Sequence, residues 1–404
     1  MKEIRRKLKA ESEKSELPEN SFGLSALSSP LRIGYDGKRA ANNVTGLGNY
    51  SRSLIEHLAT QFPANQYYVY TPKITEALKK HQLFLKDNVK LELPPKNSTS
   101  PIWRSVGVVL ELIRNKVALY HGLNHEIPYG LKENGIKSIV TIHDLIFLVK
   151  PRYYKFFDRF IYKYKSRYAC KHADRIIAIS EQTKRDIIYF YKIDPAKIDV
   201  VYQSCDNQFK NLLGENEREF IRNKYKLPQN YLLNVGTVEE RKNLLVIIEA
   251  LPYIDSSYPL VVIGKETPYL KIIKKKIEAL DLQKRVIFLK NIPFSDLPGI
   301  YQMASTFIYP SKYEGFGIPI IEALYGKVPV VAATGSCLEE AGGPGSRYIT
   351  PTDSSALADA INTIIKSKEV SSLMAEEGLK YVQRFNADVV TKQMMDCYLK
   401  TLNE

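Results

Sequence analysis

Short apolar runs and helical stretches alternate along this chain. Leu31–Tyr35, Tyr67–Tyr70, Val117–Tyr120, Ser138–Ile142 and Arg175–Ile179 read as buried strands, and about Tyr50–Thr60 reads as a helix among them. That order predicts a parallel sheet covered by helices. The alternation stops over about Asp206–Asn230, a hydrophilic stretch that reads as a linker. It then restarts with strands at Tyr231–Val235, Leu260–Ile263, Val286–Leu289, Ser305–Tyr309 and Val328–Ala332, and a helix at Leu244–Leu251. From about Ser355 the pattern is helical. The fold class expected is α/β, with two doubly wound halves and a ligand site between the C-terminal ends of their strands.

The segment Tyr313–Val331 carries the most chemistry. It sets Glu314 and Glu322 eight residues apart across a glycine-rich turn that opens a helix, with Pro319 suited to the first turn and Gly326 to the stop. Backbone N–H groups at a helix start favour an anion. A carboxylate on each side can accept hydrogen bonds from sugar or ribose hydroxyls, so the combination points to a nucleotide-sugar. A second such element follows the strand ending at Gly236, where Arg241 and Lys242 precede Asn243, a candidate helix cap. Two cations beside a helix start suit a diphosphate, while the alternative is a solvated charged turn. In the first half, His143 and Asp144 follow a buried strand and either enter the cleft or cap the strand and the turn after it. The loop Gly46-Leu47-Gly48-Asn49 precedes a helix and could approach a ligand closely. It lacks the third glycine of a dinucleotide fingerprint, and the chain has no Walker A, H-E-x-x-H or G-x-S-x-G motif.

Composition narrows the class. The 404 residues are 44% hydrophobic and 25% charged, as in a folded globular protein. No apolar stretch approaches the ~20 residues of a membrane span, and the charged N-terminus does not read as a secretory signal. Cys170, Cys205, Cys337 and Cys397 are scattered, which argues for a reducing, cytoplasmic setting over disulfides or zinc. The net charge of +14 is lopsided: residues 1–200 carry 34 Lys+Arg against 20 Asp+Glu, and residues 201–404 carry 24 of each. An anionic partner for the first half is implied. Lys155, Arg159, Lys163, Arg167 and Lys171 recur every four residues beside an apolar stripe of Phe157, Ile161, Tyr164 and Tyr168. The expectation is a helix packed on the core with a solvated basic face; docking on an anionic membrane, at the inner face, is the alternative.

Taken together, Gly46-Leu47-Gly48, the Thr-Ile-His-Asp-Leu run around His143, Ala-Ile-Ser-Glu at 178–181, the element from Gly236 to Asn243 and Glu314-x7-Glu322 resemble the retaining family-4 glycosyltransferases of the GT-B fold, in family order over roughly residues 31 to 385. The resemblance implies two Rossmann-like domains facing each other across a cleft. The boundaries expected are a mobile extension over 1–29, an acceptor-side domain over 30–205, and a nucleotide-sugar domain over 206–385, with a final helix over 386–404 packing back on the first. It implies catalytic roles for His143 and Glu314. Donor contacts are implied for Gly46, Gly48, Gly236, Arg241, Lys242, Glu314, Gly315, Phe316, Gly317, Ile318 and Glu322, with Glu314 on the sugar and Glu322 on the ribose. Asn49, Asn124 and Asp144 are the acceptor-side candidates. Glu339–Glu340 and the glycine-rich Gly342–Gly345 depart from the family pattern. The activity expected is transfer of a mannose- or glucose-type unit from a GDP- or UDP-linked donor to a glycan or lipid-linked acceptor, with no metal or other cofactor required and no nucleic-acid partner. A nucleotide-sugar epimerase or hydrolase is the enzymatic alternative, and a basic nucleic-acid- or membrane-binding protein the non-enzymatic one.

Overall fold

The computed structural model describes residues 30–95 and 102–404; the extension expected over 1–29 lies outside them. Arg32–Asp36 (β1), Gln66–Tyr70 (β2), Val89–Glu92 (β3), Leu119–Gly122 (β4), Lys137–Ile142 (β5), Arg175–Ala178 (β6) and Ile198–Val200 (β7) form one sheet in the order β3-β2-β1-β4-β5-β6-β7. Leu232–Val235 (β8), Leu260–Ile263 (β9), Val286–Leu289 (β10), Thr306–Tyr309 (β11), Val330–Ala333 (β12) and Arg347–Ile349 (β13) form a second in the order β10-β9-β8-β11-β12-β13. Every pairing is parallel. The strand order reverses between β1 and β4 in one sheet and between β8 and β11 in the other, the two places where such sheets open a ligand crevice.

The helices used below are Gly46–Gln61 (α1), Val108–Arg114 (α2), Phe156–His172 (α3), Glu181–Tyr191 (α4), Glu215–Tyr225 (α5), Leu244–Ala250 (α6), Ile318–Tyr325 (α7) and Ala387–Asn403 (α8). Four readings change. Gly46 and Gly48 lie inside the first turn of α1, not in a loop before it. The hydrophilic stretch 206–230 is not a plain linker: it contains α5, and Phe209, Ile221 and Leu227 sit in the core under the second sheet. Three widely spaced apolar residues suffice to fasten it, too few to register as a periodic pattern. β3, β7 and β13 went unread because they are edge strands, short and partly polar. Finally, α3 buries Ser166, Ala169 and Cys170, while its apolar stripe faces solvent: Phe157 is 79% and Tyr164 57% exposed. The small residues set the packing side because they let the helix approach the sheet closely.

The last helix, α8, packs on the first sheet. Val390, Met394, Met395 and Tyr398 share a core with Ile33, Tyr35 and Leu58. Tyr398 also shares a hydrogen bond of 2.7 Å with His121 Nδ1, and His121 Nε2 meets Thr141 Oγ1 at 2.8 Å. Burial, then the nearby His143, pushes the His121 pKa down to about 3, so this linchpin is neutral. Tyr398→Ala should therefore cost about 3–5 kcal/mol, and Tyr398→Phe only about 1–3 kcal/mol for the unpaired nitrogen. Urea denaturation would rank the two; equal losses would show that packing contributes nothing beyond the bond.

Candidate functional site

The site is built where β8 and β11 end side by side. Gly236 follows β8 with φ 156°, and the methylenes of Lys242 lie against it, 3.7 Å from where a Cβ would stand. The chain then turns through Glu240–Lys242 into α6. Asn243 stands at the start of α6 with φ 60° but does not cap it: its side-chain amide donates to the Pro310 and Pro351 carbonyls at 3.0 and 2.7 Å. It ties this turn to the loop after β11, which carries the second half of the site.

Glu314 lies in that loop and is 9% exposed. One carboxylate oxygen meets Arg241 Nη1 at 2.7 Å, and the other meets Lys242 Nζ at 2.6 Å and accepts from Ser311. Burial alone would raise the Glu314 pKa; Lys242 and Arg241 outweigh it and bring it down to about 2. Arg241 is further held by Glu239 at 2.7 Å and donates to the Tyr313 carbonyl at 2.8 Å. Burial opposes its charge, but Glu314 and Glu239 raise its pKa overall. Lys242 also reaches the Tyr309 hydroxyl at 2.5 Å. The result is two fixed cations held between Glu314 and Glu239 at the strand ends.

Beyond Glu314, Gly315 and Gly317 shape the turn. A Cβ on Gly315 would stand 2.2 Å from the His143 carbonyl oxygen of the first sheet's loop. Gly317 has φ 140°, a conformation that L side chains rarely adopt. Phe316 does not face the cleft; its ring is buried and stacks on Tyr202 with centroids 5.4 Å apart. It anchors the turn whose backbone enters α7 at Ile318, with Pro319 in the first turn. Glu322, farther along α7, is half-buried and accepts from the Tyr301 hydroxyl at 2.8 Å. Burial drives its pKa up to about 7 from an ordinary 4.5.

The first sheet contributes His143 and Asp144 just past β5. His143 Nε2 lies 2.9 Å from the Leu123 carbonyl, which can only accept, so Nε2 carries the proton. Nδ1 then accepts from Gln203 Nε2 at 3.1 Å. Burial, then His125, lowers the His143 pKa to about 4. The ring is therefore neutral, its tautomer is set, and both nitrogens are engaged. Asp144 accepts from the Ile146 amide at 3.0 Å, capping the next turn, yet it is also within electrostatic reach of Arg241 and Glu314. Gly48 serves packing: a Cβ there would meet the Asn43 carbonyl at 1.8 Å. Gly46 has open space around its Cα, Asn49 accepts from Arg52 at 2.5 Å, and Asn124 is half-buried in the loop after β4.

Several contacts of this site were not read from the sequence, although Ser180 lies in the Ala-Ile-Ser-Glu motif and Glu340 was noted as a departure. Ser180 donates to the Gly315 carbonyl at 2.7 Å, and Tyr313 donates to Asp186 at 2.5 Å across the cleft. Glu340 accepts from the Glu181 and Gln182 amides at 2.7 and 2.9 Å, so a carboxylate from the second half caps α4 of the first. Gln203 and His125 act only through tertiary contact and leave no local signal, and Glu340 shows only as a departure from the family pattern. Ser311, three residues before Glu314 in a turn, was the one readable hint.

Two family models match the chain: Glycosyltransferase Family 4 over residues 44–209 and Glycosyl transferases group 1 over residues 217–381. The chain belongs to these glycosyltransferases. It is 28% identical over 288 residues to O-antigen chain mannosyltransferase B of Escherichia coli, covering 69% of this chain and 74% of that protein. It is 28% identical to O-antigen chain mannosyltransferase RfbU of Salmonella typhimurium, covering 74% and 77%. In fold, the glycosyltransferase is similar to Alr3699/HepE of Anabaena, solved in complex with UDP and glucose, with a TM-score of 0.73 at 18% identity over 92% of this chain and 100% of the other. Both halves of this GT-B fold thus fall within a known enzyme class.

Glu322 gives a pH test within this enzyme. Between about pH 4.5 and 7 the folded chain holds a proton that the unfolded chain has lost, so stability falls as pH rises through that window and levels off above it. Glu322→Gln keeps an acceptor for Tyr301 without the charge. It should gain about 3 kcal/mol over the parent at pH 8 and almost nothing at pH 4.5. Denaturation midpoints at the two pH values check this; a gain that does not change with pH refutes it.

Proposed function

We propose that this glycosyltransferase moves a hexosyl unit, mannose first among the candidates, from a nucleotide-diphosphate sugar to a glycan or lipid-linked acceptor during polysaccharide synthesis, working as a peripheral protein on the cytoplasmic face of a membrane. The observation that carries the reading is the Arg241–Glu314–Lys242 cluster at the strand reversal of the second sheet, facing His143 and Asp144. The names of the E. coli and Salmonella relatives support the mannosyl unit, and the UDP and glucose in the Anabaena protein support a nucleotide-sugar site in this fold.

The donor diphosphate lies against Arg241 and Lys242. As the bond from the anomeric carbon to the phosphate oxygen breaks, the diphosphate keeps the electron pair and gains charge where the two cations already stand. Glu314, relieved of part of its cation contact, accepts from the sugar hydroxyls, and Glu322 accepts from the ribose. The acceptor oxygen bonds to the anomeric carbon on the face the phosphate leaves, and its proton passes to the leaving phosphate oxygen, so configuration is retained. Support comes from His143, whose two nitrogens are both taken, and from Glu314, whose low pKa makes it a poor acid. Neither resembles a hydrolase acid–base pair. With charge compensation supplied by side chains, no metal is required.

Arg241→Ala or Lys242→Ala should lower kcat by about 10²–10³-fold, read as nucleotide release with a GDP-mannose donor, and EDTA should leave the parent rate unchanged. A parent-like rate in Arg241→Ala refutes the electrostatic role. A thermal-shift panel of GDP-, UDP- and ADP-sugars should single out one base, since only a ligand of the folded state raises the melting temperature. No shift with any of them refutes the donor class.

A further inference from the structure

The exposed side of α3 is unusual in composition. Phe156, Phe157, Phe160, Ile161 and Tyr164 are 73%, 79%, 68%, 49% and 57% exposed. At 100° per residue they fall on one face with Lys163, Arg167 and Lys171, all exposed, opposite the buried Ser166, Ala169 and Cys170. A depression of about 400 Å³ lies on this face among Phe160, Lys163, Tyr164, Arg167 and Lys171. A solvated basic helix carries its cations on the side away from its apolar residues; here the two share one side.

A second apolar stripe lies on a segment bound to the same loop. Ile102, Val106, Leu110 and Ile113, on the helical segment that runs into α2, are 67%, 53%, 67% and 46% exposed. The loop after β4 joins the two segments. Glu126 binds Arg104 at 3.3 Å and Lys165 of α3 at 2.9 Å, the Tyr129 amide donates to the Ser105 carbonyl at 2.8 Å, and the Tyr129 ring meets that of Tyr168 at 4.4 Å. Each stripe goes beyond scattered single apolar residues, and one loop ties together the two helical segments that carry them.

We infer that this surface seats the protein on an anionic lipid bilayer, with the phenylalanines and Ile102, Val106 and Leu110 entering the headgroup boundary and Lys163, Arg167 and Lys171 meeting lipid phosphates. The partner must be apolar and anionic at once over the same area, and a bilayer of acidic lipids offers that combination. Tyr164 and Tyr168 suit the boundary layer, where rings with one polar end collect. The placement also serves the cleft: Asn124 and His125, on the acceptor side, directly precede Glu126 in the loop that fastens to α3. A lipid-linked acceptor held in the bilayer would arrive one short loop from His143. In this respect the inference deepens the lipid-linked-acceptor reading and rests on it, whereas the surface itself is tested without any acceptor.

The test is co-sedimentation of the full chain with vesicles of phosphatidylglycerol and phosphatidylcholine, against pure phosphatidylcholine, at low and high salt. The parent should pellet with the acidic vesicles and detach as salt rises. Lys163→Gln/Arg167→Gln/Lys171→Gln should weaken partitioning on the order of 10²-fold, and Phe157→Ser/Phe160→Ser at least tenfold at any salt. All five side chains are exposed, so circular dichroism and donor turnover should match the parent. Unchanged sedimentation of both variants, or no binding of the parent to acidic vesicles, overturns the inference. So does a self-association in sedimentation velocity that the variants abolish, because the surface would then belong to a second copy. Loss of vesicle binding in a protein that transfers equally well to a soluble sugar leaves the surface standing and overturns the lipid-linked acceptor.

Discussion

Burying a carboxylate is so costly that the group normally takes up a proton, unless cations meet it at contact distance. Glu314 is met on both oxygens, and from that pairing the rest of the cleft follows. Its two cations come from the turn after β8 and Glu314 from the loop after β11, the neighbouring strands at which the sheet order reverses. The fold thus brings together residues more than seventy positions apart because parallel strands end side by side. The same Arg241 that binds the carboxylate also donates to the Tyr313 carbonyl, so the ion pair fixes the backbone of the loop it belongs to. Breaking such a buried pair from one side typically costs about 3–5 kcal/mol, enough to make the loop and the charge cluster one unit.

From this unit the second half reaches the first through backbone. Gly315 leaves room for the His143 carbonyl, Ser180 donates to the Gly315 carbonyl, and Glu340 caps α4. Each contact demands that a particular backbone atom be free, which glycine and a helix start provide. His143 is correspondingly constrained. Its proton sits on Nε2 against a carbonyl that cannot give one back, and Nδ1 is occupied by Gln203. A ring held in this way is fixed and neutral, with both nitrogens committed to the protein itself.

The two sheets were legible because central strands such as Ser138–Ile142 and Leu260–Ile263 are buried on both faces and so uninterruptedly apolar. Edge strands β3, β7 and β13 have one neighbour and admit polar residues, which erases the pattern. Glu314, Arg241 and Lys242 could be found because chemistry at a strand end leaves charge beside glycine in the sequence. Asn243 was found for the wrong reason, as a cap, since nothing local shows that its amide reaches Pro310 and Pro351. Glu340 stood out only as a departure from a pattern; its role as a cap on the opposite half exists only after folding. The apolar stripe of α3 was read correctly as a stripe and assigned to the wrong side. Helical periodicity says which residues share a face, but small residues such as Ala169 decide which face the sheet accepts.

The charge split has the same kind of explanation. The second half binds an anion in the proposed reaction, yet its formal charge is zero. Arg241 and Lys242 are already balanced by Glu314 and Glu239, so any attraction there comes from placement in a low-dielectric site and leaves almost no field outside. The excess of the first half is of another type. Lys163, Arg167 and Lys171 lie in solvent with no carboxylate partner among the described residues, and their field extends about 8 Å at physiological salt. A field of that reach cannot select a sugar or a base, but it can orient a whole protein toward an extended charged surface. Net charge read from the sequence therefore registers the exposed cations of the first half and is silent about Arg241 and Lys242, where opposite charges were brought together so that they cancel.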